Sequence, residues 1–251
     1  MSKNDIVLNR LADIHTAAAL LTRLPLPHAP MRGAGAAWAY PLIGAALGLM
    51  AGLVGLIAHA CGLPPALAAL AALAAQVILT GAMHEDGLAD SADGLWGGWT
   101  RARRLEIMKD SSIGAYGVIA LVLSLAARWS ALWLMFQMDG GWALAALVTA
   151  GAVSRAAMPA MMWALPHARG AGLSHGTGRP DGRACAIAAG LAFGTGLLLL
   201  GWAAIPVVIW AALVSTLACL IARAKIGGQT GDTLGAAQQM AEITVLLSIL
   251  A

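Results

Sequence analysis

The chain has 251 residues, of which 60% are hydrophobic and 11% charged, against about 45–50% and ~25% in soluble domains. With a mean hydropathy of +0.78, it has too few charges to coat a soluble surface. This composition excludes a disordered chain, a disulfide scaffold and a nucleic-acid binder. The net charge of +3 comes from 15 Lys and Arg against 12 Asp and Glu and makes no basic face. Cys61, Cys185 and Cys219 lie in or beside apolar stretches, without zinc or redox spacing, and read as small core residues.

In chain order, Val7, Leu11, Ile14, Ala18 and Leu21 form a stripe at helical spacing, which predicts an amphipathic helix lying along a membrane surface. No signal peptide is apparent in residues 1–35. A membrane span needs about 20 apolar residues. Six segments meet this, at about 37–60, 64–83, 113–136, 142–165, 184–202 and 204–222, and a weaker seventh runs from about 234 to Ala251 with Glu242 inside it. The predicted fold is therefore all-α: a polytopic membrane bundle of six to seven spans plus the interfacial helix, with residues 1–251 as a single membrane-embedded domain.

Lys and Arg set the orientation of such a bundle. Thirteen of the 15 fall in the N-terminal segment and the segments 84–112, 166–183 and 223–238, while the alternate connections near 61–63, 137–141 and 203–204 hold none. Six spans place every charged loop on one side, the cytoplasm of a bacterial inner-membrane protein. Trp38, Trp133, Trp142, Trp163 and Trp202 fall near span ends, as an interfacial belt does.

The acids are concentrated. Six of twelve lie between Glu85 and Asp110, directly after the second span. In HEDGLADSADGLWGG (84–98), Asp86, Asp90 and Asp93 are spaced i, i+4, i+7 and share one face if the segment is helical. Three carboxylates on one face repel one another, and hard oxygens at a membrane edge suit Mg²⁺ or Mn²⁺ held together with substrate phosphates. The alternative is a solvated acidic turn, since Gly87 and Gly94 weaken a helix. His84 adjoins the carboxylates as a further ligand or base, or as a locally satisfied histidine.

The same loop runs through Arg101, Arg103, Arg104 and Lys109 to Asp110 in IMKDSSIGAYG (107–117). Facing acid and base clusters are what a metal–phosphate substrate needs, although orientation alone also accounts for the arginines. Ser111 or Ser112 is a candidate cap for the third span, and Gly114 and Gly117 are candidates for close helix packing. A third site is GGQTGDTLGA (227–236), whose glycines open backbone N–H groups to an anion. It also presents Gln229, Thr230 and Asp232, the last as a second metal ligand or an N-cap. Arg128 and Arg155 lie inside spans, where such a residue faces a cavity or a partner; Arg155 reaches either a substrate phosphate or an acid. Of the histidines, His167 and His175 lie on the charged side without a specific role.

Taken together, HEDGLADSADG, IMKDSSIGAYG and GGQTGDTLGA, in this order between apolar spans, resemble the cobalamin synthase (adenosylcobinamide-GDP ribazoletransferase) family. TRLPLP (22–27), YPLIG (40–44) and Ser154-Arg155 also match, so the resemblance covers nearly the whole chain. One position departs: Glu85 stands where the family usually carries an apolar residue, and ranks below the three aspartates as a ligand. The resemblance implies Mg²⁺-dependent transfer of the adenosylcobinamide phosphoryl group from its GDP-activated form to α-ribazole or α-ribazole 5′-phosphate, with release of GMP. It implies Asp86, Asp90 and Asp93 as metal ligands and Asp90, Asp93 or Asp110 as the proton acceptor. Arg104, Lys109, Arg155, Gln229, Thr230 and Asp232 are implied as substrate-binding residues. Besides the two substrates, the expected partner is membrane lipid, and a homo-oligomer or a complex with other late cobalamin-pathway enzymes is compatible. Another membrane phosphotransferase, of the CDP-alcohol type, is the alternative enzyme. A transporter or a scaffold fits less well, because the acids lie in loops rather than through the spans.

Overall fold

A computed structural model describes residues 3–27 and 31–251, with side chains from Arg10 onward. The elements are α1 (Lys3–Leu21), a 3₁₀ segment (Gly33–Ala39), α2 (Tyr40–Ala60), α3 (Pro65–Thr80), α4 (Met83–Gly97) and α5 (Arg101–Ile107). They continue with α6 (Ala115–Met138), α7 (Gly140–Ala164), α8 (Leu173–Thr177), α9 (Gly182–Leu200), a short 3₁₀ turn, α10 (Ala204–Ile226) and α11 (Gly231–Leu250). Among the described residues, five helical stretches are long and apolar enough to cross a membrane, or six if α3 and α4 count as one bent span. The stretch Gly182–Ile226 is turned at Gly201 (φ +59°) into α9 and α10.

Polar caps set several helix starts. Asp139 accepts from the amides of Gly141 and Trp142 at α7, Asp181 from that of Ala184 at α9, and Thr230 from that of Thr233 at α11. Each satisfies donors that the first turn of a helix leaves unpaired. Most of α7 is buried, and it packs against α2, α6, α9, α10 and α11. Against α2 the approach is backbone to backbone: a Cβ at Gly44 would overlap the Gly151 carbonyl, and one at Gly48 that of Leu147. Small residues four apart on α2 thus let two apolar helices touch where hydrocarbon offers no hydrophobic drive.

Two expectations shift. The second apolar segment, read as 64–83, is helical only to Thr80. There the left-handed Gly81 ends α3, Ala82 follows at φ +56°, and α4 leaves at 85°. Arg23 packs across the bend, its amide donating to the Leu79 carbonyl, and a Cβ at Gly81 would lie 2.5 Å from its Nε. Glycine accepts this backbone freely, whereas the strained Ala82 is held by the contacts around it. The acidic segment is therefore helical and turned steeply away from α3. The second shift is in α1, a helix as expected but with Asp13, Thr16, Ala17 and Leu21 as its buried residues and Leu11 exposed. Asp13 pairs with Arg32 and accepts from the Trp38 indole, which turns that face inward. The side chain of Val7 lies outside the described residues.

The weaker apolar segment at the C-terminus forms α11, a full 20-residue helix packed against α4, α6, α7 and α10. The loops that carry the basic residues meet at one end of the bundle. Arg101 donates to the carbonyls of Ile226 and Ala168, Arg104 to that of Lys225, and Arg169 to that of Leu105.

Candidate active site

Midway along the bundle lies a buried polar network. Arg128 and Arg155 are each 1% exposed and Glu242 is fully buried. Glu242 takes Arg155 Nη1 at 2.6 Å on one oxygen, and Arg128 Nη1 at 3.4 Å and Gln76 Nε2 at 2.9 Å on the other. Arg128 Nη1 also donates to Glu85 Oε1 at 2.9 Å, and Gln238, Gln239 and Ser154 close the network. Two positive and two negative charges balance, and the network ties α3, α4, α6, α7 and α11 together. Arg155 is thus committed to Glu242, and Glu85 is the counter-ion of Arg128. A lone arginine in an apolar segment calls for such a partner, and Glu85 and Glu242 are the acids that answer.

Toward the charged end, α4 and α11 cross in close contact. A Cβ at Gly87 would lie 2.8 Å from the Asp232 carbonyl oxygen, and one at Gly235 3.3 Å from His84 Cα. This brings Asp86 and Asp232 onto one cavity of about 220 Å³. Asp232 pairs with Arg169 at 3.1 Å and accepts from Thr230 Oγ1 at 3.2 Å. Asp90 stands beside them: burial first, then the carboxylates of Asp232 and Asp86, raise its carboxyl to about 7 against the pull of Arg169. Asp86 is exposed, and Asp90 is partly buried.

Asp93, the third member of the triplet, is buried and turned to α6. It accepts from the amides of Gly114 at 2.7 Å and Gly117 at 2.9 Å. A carboxylate from another helix thus caps α6, which was the part read for Ser111 or Ser112. The two glycines leave it room, since a Cβ at Gly114 would lie 2.5 Å from its oxygen. Lys109 and Asp110 are exposed beyond α5. Asp110 accepts from the Ser112 amide, a bond that lowers its carboxyl below the usual range. The guanidinium of Arg104 holds the end of α10, where cations suit unpaired carbonyls. None of Arg104, Lys109 and Arg155 lines the cavity.

Several amides of the glycine segment 227–236 are in use. The Gln229 amide donates to Pro166 O, the Thr230 amide to Thr233 Oγ1 and the Gly227 amide to Arg223 O. Gln229 takes Ser174 Oγ at 2.6 Å and meets His167 Nδ1 at 2.9 Å. Burial, then His175 and Arg179, hold the His167 imidazole below its ordinary value. Gly228 serves close packing on residues 166–168, so this part of the segment locks a loop, while Gly231 and Asp232 line the cavity at the start of α11. Both Gln229 and Thr230 still line the cavity, as do His175 and Ser174.

The basic residue at the cavity is Arg169, which nothing in the sequence distinguishes from its neighbours Arg179 and Arg183. Among the described residues, no three His, Cys, Asp or Glu side chains form a metal-holding group. The donor set nevertheless fits Mg²⁺, which takes one or two carboxylates and completes its shell with water and phosphate: Asp86 and Asp232 share one open cavity, and their repulsion is felt at Asp90.

A polytopic helical membrane protein with carboxylates, an arginine and a cavity at its charged end is the class that fold and site define. The particular family follows from comparison. The cobalamin-5-phosphate synthase profile matches residues 13–250, and the chain belongs to that family. It is 46% identical over 251 residues to an adenosylcobinamide-GDP ribazoletransferase of Bradyrhizobium diazoefficiens, covering 97% of this chain and 95% of that one. It is 46% identical over 241 residues to the protein of that name from Mesorhizobium japonicum, covering 94% and 92%. A Brucella ovis protein of the same name is 40% identical over 264 residues, covering 99% and 98%. No solved structure matches the chain.

Proposed function

We propose that the chain is an adenosylcobinamide-GDP ribazoletransferase of a bacterial inner membrane, with its charged end facing the cytoplasm. The observation that carries the mechanism is the meeting of Asp86, Asp90, Asp232 and Arg169 at one end of the bundle in a member of this family. The substrates are adenosylcobinamide-GDP and α-ribazole or its 5′-phosphate. The ribazole hydroxyl oxygen forms a bond to the cobinamide phosphorus, the anhydride bond to GMP breaks, and GMP leaves.

Asp86 and Asp232 are the residues that would hold Mg²⁺. When bound, the ion neutralises charge on the diphosphate and on the departing GMP. Arg169 lies against Asp232 and takes further phosphate charge. Asp90 stands beside Asp86 and Asp232 and is the remaining carboxylate placed to accept the hydroxyl proton. Asp93 holds α4 against α6, and Arg155 holds the bundle beneath the site. Lys109 and Asp110 stand on the exposed loop and take no part in this scheme.

The test is GMP release by the purified protein from adenosylcobinamide-GDP, with and without α-ribazole 5′-phosphate and Mg²⁺. Release that needs all three is expected. Preference for CDP-diacylglycerol as donor would overturn the reading.

A further inference from the structure

The cavity carries a second chemistry at its floor. His84 and Tyr40 both line it and are each 1% exposed. Neither imidazole nitrogen of His84 and not the hydroxyl of Tyr40 has a protein hydrogen-bond partner. Buried polar groups are nearly always paired, so such groups in one cavity point to a ligand that supplies the missing partners. The walls beside them are apolar: Leu21, Met158, Met162 and Leu234. The polar edge lies elsewhere, at Asp86, Arg169 and Asp232. At about 220 Å³ the space is smaller than the ~300–1,000 Å³ typical of whole-ligand pockets, so it takes one ring system rather than a complete nucleotide–corrinoid.

We infer that this floor seats the base of the acceptor nucleoside, a planar bicyclic aromatic ring with apolar edges and a single ring-nitrogen acceptor. The inference rests on the transferase reading above and deepens it. Methionines adapt to a flat apolar ring and make favourable sulfur–aromatic contacts, while His84 and Tyr40 meet the ring nitrogen and a ribose hydroxyl. The apolar Leu21, Met158, Met162 and Leu234 suit a ring with apolar edges better than guanine, whose edge carries several donors and acceptors. With the base at the floor, the ribose lies between it and the carboxylate edge, where its hydroxyl has to meet the phosphorus. His84 and Tyr40 then set specificity for the acceptor.

The experiment measures KM for each substrate separately in wild type, Tyr40→Phe and His84→Asn, in detergent, with thermal unfolding as a check on folding. Loss of one hydrogen bond predicts an acceptor KM about tenfold higher with an unchanged donor KM. An unchanged acceptor KM in both variants, or a rise in the donor KM instead, overturns the proposal. A ligand series on wild type needs no variant: an acceptor riboside with hypoxanthine for its base is expected to lose at least about tenfold in kcat/KM, and equal use of the two overturns the proposal. Calorimetric binding of α-ribazole separates the two readings. If wild type releases no GMP, the transferase reading fails, while α-ribazole binding that weakens in Tyr40→Phe still supports the subsite and binding that does not weaken overturns it.

Discussion

In the middle of the bundle, Arg128 and Arg155 face Glu85 and Glu242 with the charges balanced and amide side chains bonded to the carboxylates. At the charged end, Asp86, Asp90 and Asp232 face Arg169, and burial, then the neighbouring carboxylates, raises the carboxyl of Asp90. The first arrangement is buried. The second borders an open cavity and has more negative than positive charge. A buried, charge-balanced network holds helices in place, whereas an excess of carboxylates at an opening is eased by a bound cation. In this molecule the deep charges build the frame and the shallow ones border the cavity.

The contrast breaks most severely at Glu242. Glu242→Ala leaves Arg155 and Arg128 with Glu85 as their one remaining counter-charge, and loss of one partner of a buried pair costs about 3–5 kcal/mol. Loss of the folded species in detergent is expected, read by size-exclusion and thermal unfolding; an unchanged unfolding temperature would show that the network is not structural. Asp86→Asn tests the opposite case. GMP release should fall about 10²–10³-fold, the scale of losing one electrostatic stabiliser, with the unfolding temperature kept or raised. Full turnover would remove Asp86 from metal binding.

Gly87→Ala sharpens the comparison because it touches the seam between the two regions. Its Cβ meets the Asp232 backbone at 2.8 Å, and such overpacking costs about 1–3 kcal/mol, so both stability and turnover should drop. A drop in neither would mean that α4 and α11 separate freely.

Asp90→Asn is read in stability alone, by a definite pH signature. A carboxyl raised to about 7 in the folded state and ~3.9 unfolded costs stability that accumulates as pH rises from about 4 to about 7 and is constant above. Without Mg²⁺, the variant should therefore unfold at a temperature that climbs relative to wild type across that window and then runs parallel. A gap independent of pH would place Asp90 away from the other carboxylates.

Much of this was legible in the residues. Runs of apolar residues marked the long helices, and the sidedness of Lys and Arg marked which loops would meet. Asp86 and Asp90 could be placed on one helix face by spacing alone. Spacing could not say that Asp93, one turn on, would be drawn off by the bare amides at the start of α6, because that depends on where a segment 20 residues downstream comes to rest. Arg169 was equally hidden, since three basic residues in a loop look alike until Asp232 selects one. The bend at Gly81 and Ala82 had a readable sign, a glycine before an acidic run, but the apolar pattern passed over it. Tyr40 sits within a matching motif, yet its missing partner is visible only in three dimensions.

That bend has a geometric effect on where the reaction takes place. With 16 residues, α3 rises ~24 Å, against a hydrocarbon thickness of ~30 Å. A helix some 6 Å short either thins the lipid around it or leaves its end below the level that the longer neighbours reach. In the second case the carboxylate edge carried by α4 lies roughly one helical turn below the ends of the longer helices. On the transferase reading, nucleotides arriving from water descend that far to react.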